Sequence, residues 1–225
     1  MGILSDWQNM GWVDRSNLLM SHFKSSNQSI GQRKLISGFG FNNATYMVQP
    51  MVDGVRLVCP CYRTWKNMID RTNSRAVVEI HPTYGGVSVC DEWRNFMSFR
   101  EWWVDNYVEG FFLDKDLLSG LAMYSPSNCI FVPRWLNNFT TDSAANRTKH
   151  PIGVSIDRNS GMFNSRCCNP ITGQREHLGI YANQEDAHEA WLSRKLGLAI
   201  ELKPKMDEID WRIYPRVVEI IKSAK

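Results

Sequence analysis

The chain has 225 residues, of which 43% are hydrophobic and 22% are charged, and its formal net charge is +3. This composition is typical of a globular protein with one or two domains, and it excludes a disordered or collagen-like chain. Because no apolar run approaches the roughly 18 residues of a membrane-spanning helix, we expect no membrane association. The small overall charge does not by itself indicate a nucleic-acid-binding protein.

Residues 1–32 are polar and contain one amphipathic stretch, which predicts a short helix and a loop. The chain begins without the basic and apolar stretches of a signal peptide. Its six cysteines lack the spacing of a zinc site or a disulfide framework. We therefore expect free thiols and a cytoplasmic location.

Residues 33–140 combine helix and strand patterns. Alternating residues in 33–58 predict strands and turns, and apolar residues recur at helical spacing in 62–71 and 91–107. Two apolar runs within 111–132 predict a β-hairpin, followed by a helix that starts near Pro133. Four of the nine tryptophans lie on the two helical stripes, so we expect them in the core: Trp65, Trp93, Trp102 and Trp103.

The remaining residues predict a second small domain. Residues 141–150 are polar and aperiodic, as in a linker. Residues 151–200 hold three short strands separated by glycine-containing turns, and then a helix over 184–196. Residues 201–225 form a helical tail. The predicted fold class is α+β, with a strand–strand–helix region followed by a three-stranded antiparallel sheet packed on one helix.

The end of the first hairpin strand carries polar residues that suit metal-assisted hydrolysis. Such chemistry needs hard oxygen ligands for a divalent cation and a proton acceptor near the attacking water. Asp114, Lys115 and Asp116 occur there, and the following helix offers Asn137 and Asn138.

Three segments of this region resemble the HNH-type (ββα-metal) endonucleases of phages and their introns. They are the helix with Trp65, Met68 and Arg71, the run YGGVSVCDEW, and the acidic strand LDKD followed by PSNC. The resemblance spans roughly residues 38–140 and implies DNA hydrolysis with Mg²⁺ (or Mn²⁺) in the cytoplasm of a bacterial host. It further implies that Asp114 and Asn137 bind the metal, with Asn138 as the alternative in a shifted register. Asn128 would then brace the hairpin.

One residue departs from the HNH pattern. A histidine normally stands at or after the acidic position and acts as the general base, but here Lys115 follows Asp114. A lysine flanked by carboxylates is a poor base. Asp116, His81 or bulk water replaces the base, or the nuclease is weak or inactive.

Residues 151–197 are similar to the Apetala-2/ethylene-response-factor DNA-binding domain. The matching elements are Gly153-Val154, Ser160-Gly161, Leu178-Gly179-x-Tyr181 and a helix with Glu185, Ala187 and Ala190. The similarity implies that three antiparallel strands lie in the major groove of duplex DNA, with the helix packed behind them.

The charge pattern of this module also favours DNA. Residues 147–175 contain five basic residues and one acidic residue, a local net charge of +4, and such clusters attract phosphates. The predicted DNA-binding residues are Lys149, Ser155, Arg158, Arg166, Arg175 and His177. The plant domains have Trp at the position of His177 and an acidic residue at that of Arg166, so we expect a different target sequence.

These observations predict an HNH-like DNA endonuclease that is positioned on duplex DNA by its C-terminal sheet. One alternative is a catalytically inactive DNA-binding or regulatory protein. Another is a phage effector that inhibits a host protein through the tryptophan-rich segment 91–107. A palindromic target would require a homodimer.

Overall fold

The computed structural model describes residues 3–80, 85–141 and 150–224. The fold is α+β, with 47% helix and 17% strand, and the chain divides into two compact units, residues 1–131 and 132–225. None of the helices in the described ranges combines the length and the apolarity that crossing a bilayer would require. The predicted linker 141–150 lies outside the described residues except for Thr141 and His150.

The first unit contains six helices and six short strands within the described ranges. The helices are α1 (Ile3–Asn9), α2 (Trp12–His22), α3 (Asn27–Gly31), α4 (Pro60–Asn73), α5 (Arg75–Ile80) and α6 (Phe96–Asn106). The strands are β1 (Met51–Val52), β2 (Val55–Arg56), β3 (Ser88–Val89), β4 (Phe112–Asp114), β5 (Met123–Tyr124) and β6 (Ile130–Val132). They form three pairs, β1–β2, β3–β5 and β4–β6.

Helix α4 forms where the amphipathic pattern of residues 62–71 predicts a helix, and it extends from Pro60 to Asn73. Proline suits the first helical position because its missing N–H has no partner there anyway. The apolar stripe is buried, and the indole N–H of Trp65 donates to the carbonyl of Trp93 at 2.7 Å. Trp65, Trp93 and Trp103 are 0% exposed, which confirms their place in the core.

The predicted helix 91–107 is interrupted at Asn95. A 3₁₀ turn covers Glu92–Arg94, Asn95 is extended, and α6 begins at Phe96. Phe41 explains the break, because its N–H donates to the carbonyl of Arg94 and its carbonyl accepts from the N–H of Phe96. These bonds replace those of a continuous helix.

The strands expected in 33–58 are limited to β1 and β2. Much of the preceding segment is irregular, since the guanidinium of Arg33 donates to the carbonyls of Asn42, Ala44 and Tyr46 at 2.9, 2.6 and 3.2 Å. A side chain therefore binds backbone groups that would otherwise need a neighbouring strand.

The predicted hairpin of 111–132 is formed by β4 and β6, which are neighbours in one sheet. The connection between them contains β5, which pairs in parallel with β3 through Ser88 opposite Met123 and Val89 opposite Tyr124. The segment is thus not a simple hairpin, because part of its long turn is bonded to a strand that lies earlier in the chain.

The second unit contains α7 (Arg134–Thr140), β7 (Val154–Ile156), β8 (Phe163–Cys168), β9 (Arg175–Tyr181), α8 (Gln184–Asp207) and α9 (Ile213–Ser223). The sheet is antiparallel in the order β7–β8–β9, which confirms the predicted three-stranded sheet. Helix α8 packs against all three strands. It continues well past the predicted end at residue 196 because Leu198, Ala199, Leu202 and Met206 are buried on it.

Two local features hold α8 against the sheet. The side-chain oxygen of Asn183 accepts from the N–H of Asp186 at 2.8 Å, which caps the first turn. Gly153, with φ +83°, lies directly against Trp191, and a Cβ at this glycine would be 2.2 Å from the indole ring. A side chain at position 153 would therefore prevent this approach.

Candidate nucleic-acid interface and candidate metal site

Strands β8 and β9 present one row of basic residues. Arg166 is opposite His177, and Cys168 is opposite Arg175. Because side chains alternate along a strand and paired residues project to the same side, these four residues share one face of the sheet. All four are exposed.

The opposite face is turned toward α8. Glu176, between Arg175 and His177, accepts hydrogen bonds from Arg194 Nε at 2.6 Å and Nη2 at 3.0 Å. The Arg194 hydrogen bond is the main cause that lowers the pKa of Glu176 to about 2, and a bond from Asn169 adds to it. The Glu176 carboxylate, next to the basic row, is therefore paired with Arg194 of α8.

The other predicted contact residues are distributed around this face. Ser155 is half-buried opposite Asn164 on β8, and the pairing of β8 with β9 shifts register between Ser165 and Arg166. Arg158 is exposed in the turn between β7 and β8. Asp157 shapes that turn by accepting from the N–H groups of Asn159 and Ser160 at 3.2 and 2.9 Å. Lys149 lies outside the described residues.

The arrangement yields a cationic surface that is suited to phosphates. Arg158, Arg166 and Arg175 lie on the turn and face described above, and the neighbouring acid Glu176 is bonded to Arg194 on the other side. Asp157 remains close to Arg166, which contributes to lowering its pKa after the larger effect of the Ser160 hydrogen bonds. Such a surface can contact a duplex over several phosphates.

Asp114 ends β4, and its carboxylate is part of the following turn. Oδ1 accepts from the N–H groups of Asp116 and Leu117 at 2.9 and 2.8 Å. Burial raises the pKa of Asp114 from its usual value, although these hydrogen bonds partly oppose the rise. Within the described residues, Oδ2 accepts no hydrogen bond.

Lys115 and Asp116 form an ion pair with Nζ to Oδ1 at 2.5 Å. The Lys115 side chain is only 10% exposed, whereas that of Asp116 is 63% exposed. A lysine that is held against a carboxylate cannot readily accept a proton from water. The geometry therefore disfavours Lys115 as a general base, and the alternative base His81 lies outside the described residues.

Two asparagines predicted for the site have different positions. Asn128 is buried, and its Nδ2 donates to the carbonyl of Met123 at 3.3 Å, across the turn before β6. The bracing role that the resemblance implies for Asn128 stays a prediction. Asn137 is half-buried on α7 of the second unit, and its neighbour Asn138 is exposed.

The residues around Asp114 limit the kind of metal that could bind. No group of three or more His, Cys, Asp or Glu side chains suited to a metal ion occurs in the described parts of the chain. Burial raises the pKa of nearby Cys129 to about 12, so its thiol stays neutral at physiological pH. Asp114 fits Mg²⁺, which commonly takes one or two carboxylates and fills its other positions with water and phosphate oxygens. It does not fit a closed zinc site.

A cleft of about 340 Å³ runs beside β4. Arg63, Asn67 and Arg71 line it from successive turns of α4. Opposite them are aromatic rings; the guanidinium of Arg63 lies 4.8 Å from the ring centre of Trp12, which stacks on Tyr107 at 5.5 Å. Of these residues the sequence had pointed only to Arg71, because the cleft joins segments that are far apart in the chain.

Comparisons with known protein families, with curated proteins and with solved structures find no match for this chain. The HNH-like and Apetala-2-like resemblances therefore rest on the sequence motifs themselves.

Proposed function

We propose that the chain binds duplex DNA through the exposed face of β8 and β9, and that its first unit is an HNH-type endonuclease acting on that DNA in a bacterial host. The observation that carries the proposal is the row formed by Arg166, Arg175 and His177, whose neighbouring carboxylate is turned away and bonded to α8.

An exposed face of an antiparallel sheet suits the major groove, which admits a narrow β-ribbon as well as a helix. Arg166 and Arg175 are long enough to reach guanine edges or phosphates, and arginine is the commonest reader of guanine. Arg158, at the turn, is placed to contact the backbone. We expect strong salt dependence because phosphate contacts release counterions.

The proposed cleavage site is the end of β4. Asp114 would hold Mg²⁺ (or Mn²⁺) through Oδ2, the carboxylate oxygen that accepts no hydrogen bond among the described residues. A divalent ion bound there would offset the charge that develops on the scissile phosphate. Since Lys115 is ion-paired and no histidine occurs in residues 111–140, the attacking water would lose its proton to bulk water, to Asp116 or to His81. Slow cleavage follows from such a weak base.

The alternative is a DNA-binding protein without nuclease activity. It is favoured by the turn-forming hydrogen bonds of Asp114, which give this residue a structural role that needs no metal. An effector that acts through segment 91–107 is less well supported, because Trp93, Phe96, Phe99 and Trp103 are buried and offer no surface to a partner.

The test incubates the purified chain with long duplex DNA and Mg²⁺ or Mn²⁺, with and without a chelator. Asp114→Ala is compared with Asp105→Ala, a change of an exposed carboxylate on α6. DNA cleavage that requires the metal, is lost in Asp114→Ala and is kept in Asp105→Ala supports the endonuclease. Binding without cutting supports the alternative, and the absence of binding contradicts both.

A further inference from the structure

A cleft of about 280 Å³ lies in the second unit, between α7, the β8–β9 turn and α8. Trp135, Asn138 and Phe139 line it from α7, Arg175 from the beginning of β9, and Lys195 from α8. No aspartate or glutamate is among its lining residues in the described part of the unit. The cleft is therefore both cationic and partly aromatic.

Lys195 occupies an unusual position for a lysine. Its Nζ lies 3.8 Å from the ring centre of Phe139, and among the described residues no carboxylate or carbonyl accepts a hydrogen bond from it. Burial lowers the pKa of Lys195, and the electrostatic effect of nearby Cys167 and Cys168 only partly opposes this shift. Glu176 on β9 and Glu201 on α8 are both paired with Arg194, the residue next to Lys195.

A half-buried ammonium that has only a ring for a partner leaves hydrogen-bonding capacity and charge uncompensated. An anion in the cleft would compensate both. Arg175 would supply the second cation, and the side-chain amides of Asn138 and Gln174, which also line the cleft, would supply neutral donors. These groups match the oxygens of a phosphate.

Arg175 also connects the cleft to the proposed DNA-binding face. It shares that face with Arg166 and His177, and it lines the cleft at the β8–β9 turn. A DNA strand that runs off the sheet face past the β8–β9 turn would bring its phosphate backbone to the cleft. The cleft thus continues the cationic surface around the end of the hairpin.

We propose that the cleft binds a phosphate of the DNA backbone between Lys195 and Arg175. This inference rests on the proposed binding of duplex DNA. A free nucleotide carries the same phosphate chemistry, so the experiment includes an arm for each source.

The experiment measures the affinity of the whole chain for a short duplex over a range of salt concentrations. Lys195→Met removes the charge and keeps an unbranched apolar chain against Phe139. Lys205→Met is the matched control, because Lys205 is exposed on the same helix and does not line the cleft. We expect Lys195→Met to lower the affinity about tenfold and the salt slope by about one, and Lys205→Met to change neither.

A second variant, Arg175→Gln, is measured in case Lys195→Met does not fold. Arg175 is suited to this purpose because it is exposed. It should lower the salt slope in the same way. An unchanged slope in Lys195→Met beside a lowered slope in Arg175→Gln would overturn the inference and leave the proposed function standing, whereas an unchanged slope in both variants would count against both.

The second arm titrates inorganic phosphate and a deoxynucleoside monophosphate. Binding of the mononucleotide that Lys195→Met abolishes, together with an unchanged duplex slope, would show that the cleft takes a free nucleotide and would overturn the assignment to backbone DNA. If the unaltered chain does not bind duplex DNA, the proposed function and this inference fail together.

Discussion

The basic sheet face and the end of β4 use charged residues in opposite ways. On β8 and β9, Arg166 and Arg175 are exposed, while Glu176, which follows Arg175 on β9, is bonded to α8. At the end of β4, Asp114 binds backbone N–H groups and Lys115 pairs with Asp116. The sheet leaves charges available to a ligand, whereas the strand end uses most of its polar groups within the fold.

This difference means that the proposed DNA binding and the proposed cleavage would make separate demands on the structure. A surface of available cations can bind phosphates without rearrangement. The strand end leaves one oxygen of Asp114 without a hydrogen bond among the described residues. The following predictions separate the two regions, from the largest expected effect to the smallest.

Asp114→Asn should abolish metal-dependent cleavage, with a loss of about 1,000-fold or more, which corresponds to about 4 kcal/mol of transition-state stabilisation. DNA affinity should not change, because the sheet face is untouched. Rates of duplex cleavage in Mg²⁺, beside the affinity of the same preparations, measure both. Undiminished cleavage would remove Asp114 from the proposed site.

The same variant tests the environment of Asp114. Burial raises the pKa of its carboxyl in the folded chain, so its contribution to stability is full below its ordinary pKa and is lost as the pH rises through the folded value. Asparagine keeps an acceptor for the turn and does not ionise. The stability of Asp114→Asn relative to the unaltered chain should therefore rise with pH in urea unfolding.

Gly153→Ala should destabilise the second unit by about 3 kcal/mol, because the new Cβ would overlap Trp191 and the backbone has positive φ. Gly161→Ala is the matched control, since φ is +70° there but the space is open; about 1 kcal/mol is expected. Urea unfolding followed by the near-UV signal gives both values. Equal losses would mean that Trp191 does not pack against Gly153.

Arg166→Ala should reduce duplex affinity about tenfold and weaken discrimination between target sequences, as expected for an arginine at a base edge or phosphate. Arg75→Ala provides the comparison, because Arg75 is exposed in the first unit and pairs with Glu79 on the same helix. Competition binding with a panel of duplexes measures affinity and preference. If the two variants behave alike, β8 does not contact DNA.

Glu176→Gln should have the smallest effect, a decrease in melting temperature of no more than about 2 °C. The pKa of Glu176 is lowered to about 2, so its ionised form stabilises the fold above the ordinary value and this contribution is lost as the pH falls through about 2. The difference between the two proteins should vanish on acidification. A difference that grows in acid would contradict the bonded arrangement with Arg194.

The second unit was largely predictable because its signals are local. Glycines with positive φ lie in the turns at Gly161 and Gly173, and the strands that these turns separate are short. The end of α8 was missed because Gly197 suggests a stop, whereas burial of Leu198 and Leu202 carries the helix onward. Tertiary packing overrides the local preference there.

The first unit was less predictable because its pairings are distant in the chain. The parallel pair β3–β5, the bond of Phe41 to Arg94 and the contacts of Arg33 join segments that no local pattern connects. The same reason hid the cleft that contains Lys195, whose partners come from α7 and the β8–β9 turn. The sequence shows which residue types occur at the candidate sites, but it does not show which of these residues are hydrogen-bonded or paired with one another.

The most direct test of the central claim is duplex binding by the whole chain and by the double variant Arg166→Ala/Arg175→Ala. We expect salt-dependent binding of the unaltered chain and a loss of about 100-fold in the double variant, with an unchanged circular dichroism spectrum. Equal affinity of the two proteins for the duplex would contradict the assignment of DNA binding to this face of the sheet.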